Sequence, residues 1–265
     1  MTTHTQGHRA ADPAVSRWIR QFHPAPQAPV RLLCLPHAGG SASAYYALSK
    51  ALAPQVEVLA VQYPGRQDRR REPLLDSIDA LREGLAEELA PWRDRPLALF
   101  GHSMGAVLAY EVARSLCGDS GAPPVHLFVS GRGGPEQQVE LALDQMDDRA
   151  MVTALDDLGG TDMRFLDDED VLRLVAPAIR SDYRAVRTYR HVPGPPLPCP
   201  VTAMVGDRDA MAPVGTVEPW GAHTSADFRL EVFPGGHFYL AENLQEVQRL
   251  VYDRITEAHS VRIIG

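Results

Sequence analysis

The sequence predicts an α/β protein with a mostly parallel central sheet flanked by helices. Three observations point there. Short runs rich in Val, Leu and Phe alternate with longer stretches of helical spacing. The runs are apolar throughout, as strands covered on both faces are, whereas a half-exposed strand would alternate apolar and polar residues. At 265 residues, 45% of them hydrophobic and 23% charged, the chain is long enough for one sizeable core and near the length of roughly 250–300 residues at which cores divide.

The elements follow in order. VRLLCL at 30–35 reads as the first core strand and stops at Pro36, with a helix expected over 42–52. VEVLAVQ at 56–62 is the second strand, ended by Tyr63-Pro64-Gly65. Leu81, Leu85 and Leu89 recur at helical spacing and form one stripe of an amphipathic helix. LALF at 97–100 is a third strand that runs into Gly101, and 104–116 is helical and apolar on most sides, so that helix should be buried. Further strands fall at 125–130, 201–205 and 228–233, and Leu244, Val247, Val251 and Ile255 stripe a last helix. One segment breaks the alternation. Residues 134–196 hold no convincing strand, carry helical patches and end in the proline-rich PGPPLPCP. A crossover normally needs about a dozen residues plus loops, so this length predicts an inserted helical lid. The expected organisation is a lead-in at 1–28, a core of 29–133 with 197–265, and the lid at 134–196. Trp18, Ile19 and Phe22 in the lead-in are placed to pack back on the core.

Composition excludes several roles. A net charge of −8 is unlike the basic face of a nucleic-acid-binding protein. Cys34, Cys117 and Cys199 are odd in number, widely spaced and without metal-type spacing, so they read as reduced thiols, with no metal site. The N-terminal stretch lacks an apolar signal core, and no segment approaches the roughly 18–20 apolar residues of a membrane span, so a cytoplasmic protein is expected.

The chemistry is concentrated in ALFGHSMGAVLAY at 98–110. Gly101-His102-Ser103-Met104-Gly105 sits where a strand ends and a helix begins at once, the setting in which G-x-S-x-G forms a nucleophile elbow. A serine hydroxyl needs a base to take its proton, and in α/β hydrolases the partners follow as Asp or Glu, then His. VGDRDAMAP after the fifth strand offers Asp207 and Asp209, and FPGGHFYLAEN after the sixth offers His237. An oxyanion hole would use the Met104 amide and one from Pro36-His37-Ala38-Gly39-Gly40. His37 and His102 are expected to shape this pocket rather than move protons.

With these residues in place, the chain resembles the discrete type II thioesterases that serve polyketide and nonribosomal peptide synthases. LPHAGGSASAY, VQYPGRQDRRREP, FGHSMGA, VGDRDAMAP and PGGHFYL carry the resemblance, in the family's order and over most of the chain. It implies an α/β-hydrolase fold with a helical lid, Ser103 as nucleophile, His237 as base and Asp209, rather than Asp207, as the orienting acid. It also implies oxyanion donation by the Ala38 and Met104 amides, and hydrolysis of acyl groups from the phosphopantetheine arm of an acyl or peptidyl carrier protein. No cofactor of the enzyme's own is implied. An acyltransferase or cyclase, and a general carboxylesterase, would use the same three side chains. A catalytically silent fold used as a binding module would not need them.

Two features lie outside this set. Arg66, Arg69, Arg70 and Arg71 form a dense basic run that is either a solvated loop or a dock for an acidic carrier. In the lid, Met151 and Phe165 either line an acyl tunnel or form the lid's own small core.

Overall fold

The computed structural model describes residues 16–118, 122–139, 142–157 and 168–264. Its centre is a seven-stranded sheet in the order β1-β3-β2-β4-β5-β6-β7. The strands are β1 (Ile19–Arg20), β2 (Val30–Leu35), β3 (Val56–Val61), β4 (Leu97–His102), β5 (Leu127–Ser130), β6 (Val201–Gly206) and β7 (Phe228–Phe233). All neighbours pair in parallel except β1, which runs antiparallel to β3 with Ile19 opposite Val61. The sheet is of the kind found in α/β hydrolases. Within the lead-in, Trp18 and Ile19 pack back on the core as expected, and Ile19–Arg20 adds an edge strand beside β3 that the sequence reading did not include.

Period-2 alternation along the strands feeds two cores. Leu33, Leu35, Leu59, Val61, Leu99 and Val129 face one side, under α2 (Ile78–Leu89) and α3 (Met104–Gly118). Leu32, Cys34, Val58, Ala60, Phe100 and Phe128 face the other, under α1 (Tyr46–Leu52) and α8 (Leu244–Ile264). Because both faces are covered, β2 to β6 are buried along their whole length, whereas the edge strand β7 departs from the expectation: its FRLEVF alternates apolar and charged residues, and Arg229 and Val232 are exposed. Between β5 and β6 the chain forms α4 (Asp148–Asp157) and α5 (Glu169–Thr188), which share a third, separate cluster of Leu143, Met151, Leu155, Ala176, Ile179 and Tyr183. Two further short helices, α6 (Val214–Val217) and α7 (Tyr239–Glu242), follow β6 and β7.

The β4–α3 turn needs its two glycines for proximity. A Cβ on Gly101 would stand 1.9 Å from the Gly105 carbonyl oxygen, and one on Gly105 would stand 2.0 Å from that of Leu35. Both obstacles are backbone, which cannot step aside. Gly105→Ala is therefore expected to destabilise the fold by about 3 kcal/mol or more. In a chain of this size that lowers the Tm by roughly 6–12 °C, read by thermal denaturation.

Candidate active site

The site is assembled at the carboxyl edge of the sheet, where ligands of open α/β sheets bind. Ser103 lies between the last residue of β4 and the first of α3, with φ at +54°, a left-handed conformation that non-glycine residues seldom adopt. Its N–H donates to the Ser130 carbonyl at 2.8 Å, and its carbonyl accepts from the Ala106 N–H at 3.0 Å. Those bonds hold the strained turn and leave the half-buried hydroxyl side chain above the sheet. The amino end of α3 starts at the next residue, so the positive end of the helix faces the same space.

Asp209 follows β6 and His237 follows β7, and the two meet at 2.9 Å between Oδ2 and Nδ1. Both are buried, at 3% and 5% exposure. The other carboxylate oxygen of Asp209 accepts the Met211 and Ala212 amides at 2.9 and 3.1 Å. Asp207 does something else: its Oδ1 accepts the Gly235 N–H at 2.8 Å and fastens the loop that carries His237. The aspartate paired with His237 is thus the one that the resemblance implied, where the residue pattern by itself offered both. Met104 heads α3, and Ala38 sits in the turn closed by the Gly40 N–H on the His37 carbonyl at 2.9 Å. Among the described residues, no turn or loop hydrogen bond engages either the Ala38 or the Met104 amide.

His102 connects the parts. Its Nδ1 lies 2.9 Å from the Ser130 hydroxyl, which lies 2.7 Å from the Tyr239 hydroxyl, and its ring stands 5.0 Å from that of His237. His37 is 5.8 Å from His102 and 5.0 Å from the Phe238 ring. Burial and, secondarily, the neighbouring His237 push His37 down to about 4 and His102 well below the usual imidazole value. Both are neutral at neutral pH, and neither adds positive charge beside the imidazolium that His237 becomes when it takes a proton. Ser130 and Tyr239 were not picked out by sequence reasoning. A serine closing an apolar strand carries no motif, and its role appears only through partners on β4 and α7.

Neutral buried imidazoles also set the response to acid. His126, stacked on Phe128, is pushed down to about 3, chiefly by burial. The unfolded chain protonates these groups near pH 6.5 and the folded chain only well below it, so the unfolded state binds more protons as the pH falls. Stability should decline below about pH 6.5. His126→Gln, remote from Ser103, is expected to flatten the fall of Tm between pH 7 and 5.

A cavity of about 470 Å³ opens beside His37 and His102, with Tyr45, Phe100, Phe238 and Val247 among its walls. Met151 is fully buried in the small core that α4 and α5 share, and Phe165 lies outside the described residues. The basic run is corrected. Arg66 is buried against Asp182, and Arg69 is buried with its guanidinium on the Gln62 carbonyl and Glu72 and over the Trp18 ring. Neither is available to a docking partner. The turn over Gln67–Arg69 directs these two side chains inward and leaves only Arg70 and Arg71 exposed. Among the described residues, one group gathers three metal-type donors within 4.8 Å: Glu136, His191 and His223. Glu136 lies 3.3 Å from His191 Nδ1 and 3.1 Å from His223 Nε2, the Tyr110 hydroxyl lies 3.1 Å from His223, and none of the four belongs to the Ser103 site.

Residues 30–255 match the family model described as the thioesterase domain. The chain is 50% identical over 239 residues to the thioesterase PikA5 of Streptomyces venezuelae, covering 90% of this chain and 85% of that protein. It is 44% identical to a probable cadicidin biosynthesis thioesterase of Streptomyces griseus, over 93% of this chain and 70% of that one. Among solved structures it is similar to the type II thioesterase BorB from the borrelidin biosynthetic cluster, with a TM-score of 0.84 and 42% identity over 94% of this chain and all of that one.

Proposed function

The chain belongs to the thioesterase family, and we propose that it acts as an editing, type II enzyme that clears short acyl groups from carrier proteins. Membership makes it a serine hydrolase acting on thioesters, in the setting of polyketide and nonribosomal peptide biosynthesis. The observation that carries the mechanism is the buried 2.9 Å pair of His237 and Asp209, whose imidazole stands 5.0 Å from the ring of His102, the residue that precedes a serine held at positive φ.

In this reading the Ser103 hydroxyl oxygen attacks the thioester carbonyl carbon while His237 Nε2 takes its proton. Asp209 fixes the proton on Nδ1 and stabilises the imidazolium. The developing oxyanion lies against the Ala38 and Met104 amides, with the α3 amino end adding its dipole. The C–S bond breaks and the phosphopantetheine thiolate leaves and takes the proton from His237 Nε2, which returns the imidazole to its neutral form; the thiol has a pKa near 8.5, so the thiolate leaves more easily than an amide nitrogen would. Water, deprotonated by the same imidazole, then cleaves the acyl-serine and restores the hydroxyl. The His37–Phe238 cavity offers the acyl chain an apolar bed. Among the described residues, no helix is long and apolar enough to cross a membrane. The cytoplasm, where carrier-bound assembly proceeds, is the location that goes with this role.

The test is acyl release from a carrier loaded with acetyl- or propionyl-phosphopantetheine, followed by intact mass, beside a matched small oxygen ester. Faster turnover of the carrier thioester is expected. Cleavage of the oxygen ester alone would make the enzyme a general esterase. Acyl transfer without free acid would make it a transferase. Arg70 and Arg71 remain the exposed part of the basic run, and replacing both with Glu is expected to raise the carrier KM by roughly tenfold without changing kcat.

A further inference from the structure

The turn that carries Ala38 is held from the lid. The Gly39 N–H donates to Asp182 Oδ2 at 2.7 Å, and Asp182 stands on α5. The Arg66 guanidinium binds the same oxygen, with the two side chains 5% and 0% exposed. Arg66 also donates to the Pro64 carbonyl at 2.7 Å and lies over the Tyr63 ring, whose hydroxyl donates to the Pro36 carbonyl at 3.1 Å. Three residues before Asp182, Ile179 abuts the same turn: a Cβ on Gly39 would be 3.0 Å from its Cγ1. Past the turn, the Ala42 N–H donates to Gln62 Oε1 at 2.8 Å, and Gln62 is itself tied to the Arg66 carbonyl.

An apolar pair of similar size would seat α5 on the core as well as this buried ion pair does, so packing alone gives no reason for the charges. Their geometry gives one. A carboxylate aimed at a single backbone N–H sets the direction of the peptide plane that follows Ala38. Burial pushes the Asp182 carboxyl up and Arg66 opposes that shift, so the arginine also offsets a negative charge close to where an oxyanion forms. We propose that Asp182 is a positioning residue of the oxyanion hole, fixing the Ala38–Gly39 turn from the lid helix, with Arg66 as its counter-charge. This rests on the reading of the Ala38 and Met104 amides as oxyanion donors. The docking of α5 and the competence of the site are then one event: a lid that lifts takes the turn's anchor with it.

The experiment compares Asp182→Ala and Asp182→Asn with wild type on an acyl-carrier thioester. It also measures affinity for an alkyl boronic acid, which forms a tetrahedral adduct on serine, and for an unreactive thioether analogue of the substrate. Asp182→Ala is expected to lower kcat about 10–100-fold, less than the 10²–10³ of an outright lost donor, with KM within about threefold. Boronate affinity should fall in step with kcat/KM while thioether affinity holds. Asp182→Asn, which keeps an oxygen for the Gly39 N–H, should recover most of the rate. If the alanine variant does not fold, Asp182→Leu, which fills the same buried volume but offers that N–H no acceptor, takes its place with the same expected losses. Unchanged kcat, or equal losses for boronate and thioether, would overturn the proposal. If wild type itself releases no acid and forms no boronate adduct, the underlying reading of the site fails instead.

Discussion

Ser103→Ala is expected to lower acyl release from a carrier thioester by about 10⁴–10⁶-fold, with the fold intact. The magnitude follows from what remains once the nucleophile is gone: the oxyanion donors and the binding surface still act on water, but no acyl-enzyme forms. The fold is expected to stand because the residue's structural bonds are backbone ones, the N–H on Ser130 and the carbonyl on Ala106, and alanine retains both. Alanine tolerates φ of +54° no worse than serine does, so Tm should move by less than about 2 °C. Intact mass of the carrier gives the rate, and a fluorophosphonate probe should label wild type once and the variant not at all. Release continuing at more than a hundredth of the wild-type rate would place the nucleophile elsewhere.

The elbow was legible in the sequence because its physics is local. A strand, two glycines around x-S-x and a helix beginning at once are adjacent in the chain, and the close backbone approach at Gly101 and Gly105 accounts for both glycines. Asp209 and His237 were legible as a region, because parallel strands deliver their carboxyl ends to one edge. The residue pattern by itself does not choose between Asp207 and Asp209; the resemblance implies Asp209, and the physical reason lies in the amides of Met211, Ala212 and Gly235. Strand β1 escaped because two residues are too few for any periodicity. In the sequence the arginine run presents one surface feature because charge is its visible local property, yet the partner that buries Arg66 is 116 positions away on α5. Pairing across such a separation leaves no trace in local pattern, and it decides which arginines meet solvent.

Asp209→Asn is expected to cost about 10³–10⁴ in kcat near pH 7, whereas Asp207→Asn changes it less than about threefold. The contrast follows from which oxygens are already committed. Asp209 Oδ1 accepts two backbone amides, so an asparagine at 209 must keep its carbonyl oxygen there and turn its NH₂ toward His237. A donor facing Nδ1 forces the proton onto Nε2, and the nitrogen that should take the serine proton then has no lone pair. The fold has little reason to object, since the pair keeps its shape and a hydrogen bond of reversed polarity. At 207 an asparagine oxygen can still accept the Gly235 N–H, so the loop that carries His237 keeps its anchor. Turnover on a carrier thioester from pH 6 to 10 separates the cases. Asp209→Asn should recover part of its rate at high pH, where hydroxide attacks without the general base, and Asp207→Asn should follow the wild-type profile. If the two variants exchanged these behaviours, Asp207 would be the orienting acid, and the 2.9 Å contact between Asp209 and His237 would not be the one that sets the tautomer.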